Sequence, residues 1–454
     1  MHNDNRDVVD GTLMLAAALR TRVTVLMMTS VLKYFPTAKP HAWVSPHYAW
    51  VCSAGSKGYC ATKEMLQNGI PGHTLLIESG DLRDVDASSG DGCLLTYCFT
   101  DPSKVRCNHI PRTVSRVTVY GNILKTPKRF LWGCSGLKAV DLGPLSQVTV
   151  VQEDFLWGCT GLTALDLSPL CRVTEVHASF LAQCTGLTAL NLSPLSQVTE
   201  VQRFFLQGCT GLSNLDLSPL SQVTEVQEDF LQGCTGLTTL DLGPLSKVTE
   251  FQEGFLKDCT GLTALDLSPL CRVTEVHASF LQECTGLTAL DLSPLWRVTE
   301  VQRGFLFRCT GLTALDLSPL CRVTELQWGF LGGCTGLTTL DLSPLSRVEE
   351  IPGNFLWGCT GLTALDLSPL LQVTEVQGNF LQGCTGLTAL DLSPLWRITV
   401  LQRSFLGGCT GLTTLDLSPL SRVEEVQLSF LSECIGINAV DNPPPQCKPP
   451  PWMV

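Results

Sequence analysis

Phenylalanine stands at position 130 and at every twenty-fifth residue after it as far as Phe430, thirteen times in all. A sequence period of this length marks a repeat architecture, in which a unit too small to bury its own apolar face stacks on its neighbours. Twelve residues of the unit, CTGLTALDLSPL, recur unchanged from Cys159, Cys259, Cys284, Cys309, Cys359 and Cys384. A chain of 454 residues ordinarily divides into about two to four domains. A repeat removes that expectation, because a solenoid lengthens by adding turns to one continuous core.

One unit, Phe155–Ser179, reads FLWGCTGLTALDLSPLCRVTEVHAS. Within it Leu162, Leu165 and Leu167 have the L-x-x-L-x-L spacing of a leucine-rich-repeat strand. Strand alternation turns Leu165 and Leu167 inward and Ala164, Asp166 and Ser168 outward. Pro169 has no N–H for a ladder and helps to end the strand. Val173 and Val176 supply inward side chains on the return stretch. Phe155, Leu156 and Cys159 close the coil from a short helical or turn segment, and Gly161 relieves the bend into the next strand. The expected fold is an α/β-type repeat solenoid. It is a right-handed leucine-rich-repeat coil of about thirteen 25-residue turns, with a parallel β-sheet on its concave face. At roughly 5 Å per stacked strand the array is about 60 Å long.

The order F-L-x-x-C-T-G-L-T-x-L-D-L-S-P-L-x-x-V-T-E-V resembles the BspA-like leucine-rich repeats of bacterial and protist surface proteins. That family places Phe, then Cys, then a leucine strand followed closely by Pro, then a pair of β-branched residues. The resemblance covers about 330 residues. It departs from the family in unit length, here a couple of residues longer, and in Ser168 standing between the strand and Pro169. It implies the solenoid fold, and it implies roles in adhesion or host contact without selecting one.

Composition divides the chain in three. Residues 1–108 show no repeat and read as a mixed α/β capping region, with strands in HTLLIESGDLRDV and GCLLTYCFTD. Residues 109–441 are the solenoid, and residues 442–454, NPPPQCKPPPWMV, are a proline-rich tail expected to be extended polyproline. No 18-residue apolar run occurs, so no transmembrane span is expected. Arg20–Phe35 loosely resembles a signal peptide, but about twenty residues precede it and Lys33 interrupts it.

Thirteen of the 22 cysteines fall one per turn from Cys134 to Cys434, and Cys171, Cys271 and Cys321 share a second position. A once-per-turn cysteine reads as a small buried apolar side chain rather than a disulfide partner. A ladder of free thiols leans towards a reducing, cytoplasmic compartment, with cell surface or secretion as the alternative. The net charge of -12 argues against nucleic acid as a partner, since phosphate binding needs clustered Lys and Arg.

The sharpest surface feature is a column of outward aspartates. Asp166, Asp216, Asp241, Asp266, Asp291, Asp316, Asp341, Asp366, Asp391 and Asp416 belong to it, with Asp141 and Asp441 at its ends and Asn191 as its one interruption. Strands stacked in register bring neighbouring carboxylates to about 5 Å. Two readings stand: a docking strip for a basic protein partner or weak calcium sites, or a solubilising face preserved by duplication. A second candidate surface is aromatic. Trp157 and Trp357 share one variable position, and Trp296 and Trp396 share another just after the Pro-Leu pair; tolerance of varied residues there implies exposure. On the return stretch Arg172 and its equivalents precede Glu175 and its equivalents by three residues, which reads as a solvated face of stacked opposite charges.

Catalytic chemistry finds no support. H-E-x-x-H, C-x-x-C, G-x-S-x-G and G-x-x-x-x-G-K are all absent from the sequence, so no cofactor is expected. His41, His47, Cys52 and Cys60 fit no familiar zinc spacing. The sequence thus points to a non-enzymatic protein-interaction scaffold, binding through the acidic strip or the aromatic flank. A cell-surface adhesin or antigen of the BspA-like type is the alternative.

Overall fold

The computed structural model describes residues 124–427 and 429–437, together with the backbone of five short strands elsewhere. The targeting-like segment Arg20–Phe35, His41, His47, Cys52, Cys60 and the tail from Asn442 lie outside the described residues. Four of the strands are β1 (Tyr48–Val51), β2 (Thr74–Glu78), β3 (Leu94–Cys98) and β4 (Arg116–Tyr120). With β5 (Ala139–Asp141) they form one parallel sheet in chain order. Tyr48 pairs with Thr74, Thr74 with Leu94, Leu94 with Arg116, and Arg116 with Ala139. The stretch without a sequence repeat therefore leads strand by strand into the leucine row of the first repeat.

From there the chain winds as stacked 25-residue turns. Each turn buries the same columns, seen in one unit at Phe155, Leu156, Cys159, Leu162, Leu165, Leu167, Leu170, Val173 and Val176. These columns merge into a single hydrophobic cluster running from Phe130 to Ile437. The phenylalanines stack ring on ring, with centroids 5.3 Å apart at Phe130–Phe155 and 5.7 Å at Phe155–Phe180, and the series continues to Phe405–Phe430. Near-parallel aromatic pairs of this kind add about 0.5–1.5 kcal/mol each to the burial of their area.

The leucine row is less regular than its spacing predicts. It forms parallel ladders at the two ends of the array, in β5 and in the pair Thr414–Asp416 with Ala439–Asp441. In middle turns single bonds join it, such as Thr188 N–H to Thr163 O at 3.2 Å. The cause is local. Leu167 already has φ −90° and ψ −1°, opening a 3-10 turn over Ser168–Leu170, and this cuts the extended run after Asp166. Two-residue parallel pairing falls instead in the return stretch, where Glu275 pairs with Glu300 and Glu300 with Glu325.

The edge that carries phenylalanine has a geometry that residue types alone do not announce. Three residues per turn have positive φ: in one unit Asp154 (59°), Leu156 (55°) and Gly158 (70°). Their N–H groups point alternately along the stack. Asp154 N–H donates forward to Ala178 O at 2.9 Å, Leu156 N–H back to Phe130 O at 2.8 Å, and Gly158 N–H forward to Ala182 O at 2.8 Å. Alternating backbone handedness thus lets a tight edge bond to both neighbouring turns, at a cost of about 1–2 kcal/mol for each non-glycine residue. Complete burial of Leu156 offsets it.

Gly161 and its equivalents are required by close packing between turns. A Cβ on Gly286 would lie 2.5 Å from Thr260 O and 2.6 Å from Leu262 O, both backbone atoms.

Candidate functional site

The aspartate column has a structural duty in every described turn from Asp141 to Asp416. Asp166 Oδ1 accepts the N–H of Ser168 at 2.9 Å, and Asp316 Oδ1 accepts that of Ser318 at 2.8 Å. The carboxylate caps the first residue of the 3-10 turn in an Asx arrangement. Asp241 makes the same bond to Gly243 N–H, and Asn191 makes it to Ser193 N–H. The hydroxyl and backbone N–H of the following serine hold the Asp166, Asp216, Asp291, Asp316, Asp341, Asp366 and Asp416 carboxyls below the usual aspartate range. At Asp291 and Asp341 neighbouring carboxylates act the other way and are outweighed. Asp266 and Asp391 also cap their serines, at 2.8 Å each.

Beside this column the leucine row leaves two shallow hollows of about 760 and 860 Å³. They meet at Thr339–Asp341 and are lined by Ala, Thr, Leu and Asp. Small side chains make this face smooth, and among the described residues no three His, Cys, Asp or Glu side chains converge to hold a metal ion.

The tryptophans separate into two environments. Trp157 and Trp357 are half-buried: Trp157 stacks on Trp132 at 5.2 Å, and Trp357 on Phe307 at 6.1 Å with the Arg308 guanidinium 5.9 Å from its ring centre. Residues at this position lie against the adjoining turns, so the variability expected to signal exposure reflects accommodation along the stack. Trp296 and Trp396 are different, with 47% and 43% of their surface exposed. They stand at the position that also carries Cys171, Cys271, Cys321 and Leu371, and Leu371 is 52% exposed. One column therefore presents Cys271, Trp296, Cys321, Leu371 and Trp396 to solvent. Sequence reasoning overlooked Leu371 and the exposed Trp328. The available signal was departure from the column norm, leucine where other turns have serine or cysteine.

The arginines beside this column lie on the solvated face that their spacing suggests, without ion-pair partners. Ion pairs among the described residues involve Lys128, Arg129, Arg303 and Arg308, and His177 and His277 lie within 3.8 Å of glutamate oxygens, while none of these contacts engages Arg272, Arg297, Arg322, Arg347 or Arg422. The return-stretch glutamates bond within their own row, as when Gln327 Nε2 donates to Glu300 Oε1 at 3.0 Å. Arg297 lies over the Trp296 ring at 4.8 Å, and Arg397 and Arg422 both lie 5.4 Å from the centre of Trp396.

The once-per-turn cysteines do more than fill space. Cys159 Sγ donates to Leu131 O at 3.1 Å and Cys284 Sγ to Leu256 O at 3.1 Å, and the pattern continues to Cys434. From Cys159 onward each thiol thus reaches the carbonyl of the positive-φ leucine one turn earlier. Burial pushes the Cys184, Cys259, Cys359 and Cys409 thiols up to about 12. At neutral pH they are therefore protonated and unreactive.

These turns define a leucine-rich-repeat protein with a cysteine ladder. No family model matches the chain, and no curated protein matches it in sequence. Among solved structures it is similar to a leucine-rich repeat protein from Bacteroides ovatus, at 16% identity and TM-score 0.57, over 81% of this chain and 86% of that one. A leucine-rich cell surface protein from Faecalibacterium prausnitzii superposes at 15% identity and TM-score 0.41, over 80% and 91% of the two chains. The functional domain of InlJ from Listeria monocytogenes, which includes a cysteine ladder, superposes at 21% identity and TM-score 0.33, over 63% and 64%. The first of these carries the fold assignment. No helix among the described residues is long and apolar enough to cross a membrane.

Proposed function

We propose that the protein is a non-enzymatic interaction scaffold that engages a protein partner through the Trp296–Leu371–Trp396 column. The observation that carries this reading is the recurrence of three large exposed apolar side chains at one repeat position, Leu371 and Trp396 in adjacent turns and Trp296 three turns before them, on a chain whose other turns place small residues there. Exposed tryptophans supply the anchor chemistry from which most interface energy comes. The aspartate strip is the weaker candidate, because each carboxylate is already engaged by the turn that follows it. An affinity pull-down with wild type, with Trp296→Ala/Leu371→Ser/Trp396→Ala and with a multiple Asp→Asn variant tests the choice. Loss of partners in the aromatic variant alone supports the proposal; loss in the aspartate variant alone moves the site to the strip, where a basic partner or weak cation binding fits.

The cell-surface adhesin reading follows from the sequence resemblance. Burial of thirteen cysteines favours keeping it, because thiols sealed in a core are shielded from oxidants in either compartment. Surface labelling of intact cells tests it: a labelled chain favours the adhesin reading, and a wholly internal one removes it.

A further inference from the structure

We infer that the Trp296–Trp396 column, with the arginine column beside it, takes an acidic extended protein segment laid along the solenoid axis. This rests on the proposal that the aromatic column is the docking surface, and it adds the chemistry of the occupant.

Three observations carry it. First, Arg272, Arg297, Arg322, Arg347, Arg397 and Arg422 recur one per turn except at the Gln372 turn, so they form a near-continuous row directly alongside the apolar one. Second, this row is electrostatically unspent. None of the six is in an ion pair, Arg397 has Gln372 Oε1 as a neutral acceptor at 3.2 Å, and all but Arg397 are exposed. Third, the row runs against the charge of the molecule, which is -12 overall. A chain with surplus carboxylates that leaves a file of guanidinium groups unpaired presents a complementary surface for carboxylates from elsewhere.

The geometry favours an extended occupant. Successive turns of this array place equivalent side chains about 5 Å apart, so the arginines form a ladder rather than a cluster. Arg297 over Trp296, and Arg397 with Arg422 beside Trp396, hold guanidinium groups next to flat apolar surface. A segment carrying both acidic and apolar side chains satisfies both rows at once: carboxylates take the guanidinium donors while an aromatic or aliphatic residue covers the tryptophan or Leu371. Along each turn the arginine follows the column aspartate by six residues and in most turns precedes a glutamate by three, as in Asp291, Arg297 and Glu300, and carboxylates this near in the chain disfavour a broad polyanion.

The test uses the full chain and a fluorescent synthetic peptide of alternating Glu and Phe, with a matched Lys and Phe peptide as control. Saturable binding of the acidic peptide that weakens as salt rises is expected, and the basic control should not compete. Replacing Arg297→Gln, Arg322→Gln and Arg347→Gln together should weaken binding at least about 10-fold while leaving the unfolding midpoint near wild type. Trp296→Ala with Trp396→Ala should weaken it more. Absence of peptide binding, or binding untouched by the arginine changes, overturns the inference. So does preference for a sulfated polysaccharide over the peptide, or arginine-dependent self-association of the chain. Cellular partners lost on tryptophan replacement but kept on arginine replacement would leave the scaffold proposal standing and remove the acidic occupant alone.

Discussion

Asn191 Oδ1 accepts the backbone N–H of Ser193 at 2.9 Å, the same bond that Asp166 makes to Ser168 one turn earlier. The one break in the aspartate column therefore keeps the hydrogen bond and discards the charge. What the fold asks of this position is an acceptor oxygen two residues before the 3-10 turn, and Asp and Asn both supply it.

Replacement in a central turn should show this order. Asp316→Asn keeps the acceptor and loses only the share due to charge, so it is expected to lower the denaturant midpoint slightly at neutral pH, whereas Asp316→Ala, which strips the cap from Ser318, should lower it by at least twice as much. Chemical unfolding of the two variants side by side checks it. An equal loss in both would restore a role for the charge.

The same carboxylates set an acid limit. Their folded-state values lie below the ordinary aspartate value of about 3.9. The stability they contribute is therefore complete above that value and is lost as pH falls through the lower folded one. A unfolding titration should show the midpoint dropping below about pH 4, and less steeply in a variant with several column Asp→Asn changes.

Asp229 titrates in the opposite sense. Burial raises it to about 6, against a lowering by Lys257 and with further raising by Glu253, Glu228 and Asp258. A carboxyl raised on folding destabilises the charged protein, so stability should increase as pH falls from 7 towards 5. Asp229→Asn should be more stable at pH 7 by about 1 kcal/mol, a figure reduced for partial solvent screening. Asn354 and Asn379 already occupy the equivalent positive-φ place two and three units from the Gly304 turn, so the backbone accepts the change. Thermal melts at pH 5 and 7 decide it.

Glycine and its absence make a paired prediction on the phenylalanine edge. Gly286→Ala drives a methyl into two carbonyl oxygens of the preceding turn and should cost about 1–3 kcal/mol or more. Three residues earlier Glu283 sits at φ 60°, where most turns have glycine. Glu283→Gly should therefore stabilise, by up to about 1 kcal/mol. Equilibrium unfolding that gives both substitutions the same sign would refute the distinction between close packing and backbone handedness.

Site-resolved alkylation reports on the ladder. In the native protein at pH 8, Cys171, Cys271 and Cys321 should be labelled rapidly, while the thirteen cysteines from Cys134 to Cys434 react only after denaturation. Rapid labelling of Cys259 or Cys359 in folded protein would show that the core opens locally.

Much of this architecture was legible in residue order. The 25-residue period, the inward leucines and valines, and the stacked phenylalanines follow from apolar spacing, because a unit that cannot bury its own face must bury it against a copy. The outward position of Asp166 also follows from alternation. Its partner did not, since the bond to Ser168 depends on Leu167 leaving the extended conformation. The left-handed Leu156 was likewise hidden: leucine has no preference for that region, and only the bonds to both neighbouring turns together with full burial sustain it.

The sequence by itself determined a stacked repeat, its period and the identity of its core columns, because those are consequences of spacing that every copy shares. Tertiary structure alone decided which exposed copies stand together. It set Trp296, Leu371 and Trp396 in one solvent-facing column, left the arginines beside them without carboxylate partners, and gave the cysteine thiols a carbonyl 28 residues back. Those relationships arise between turns, where through-space distance is set by stacking rather than by distance along the chain.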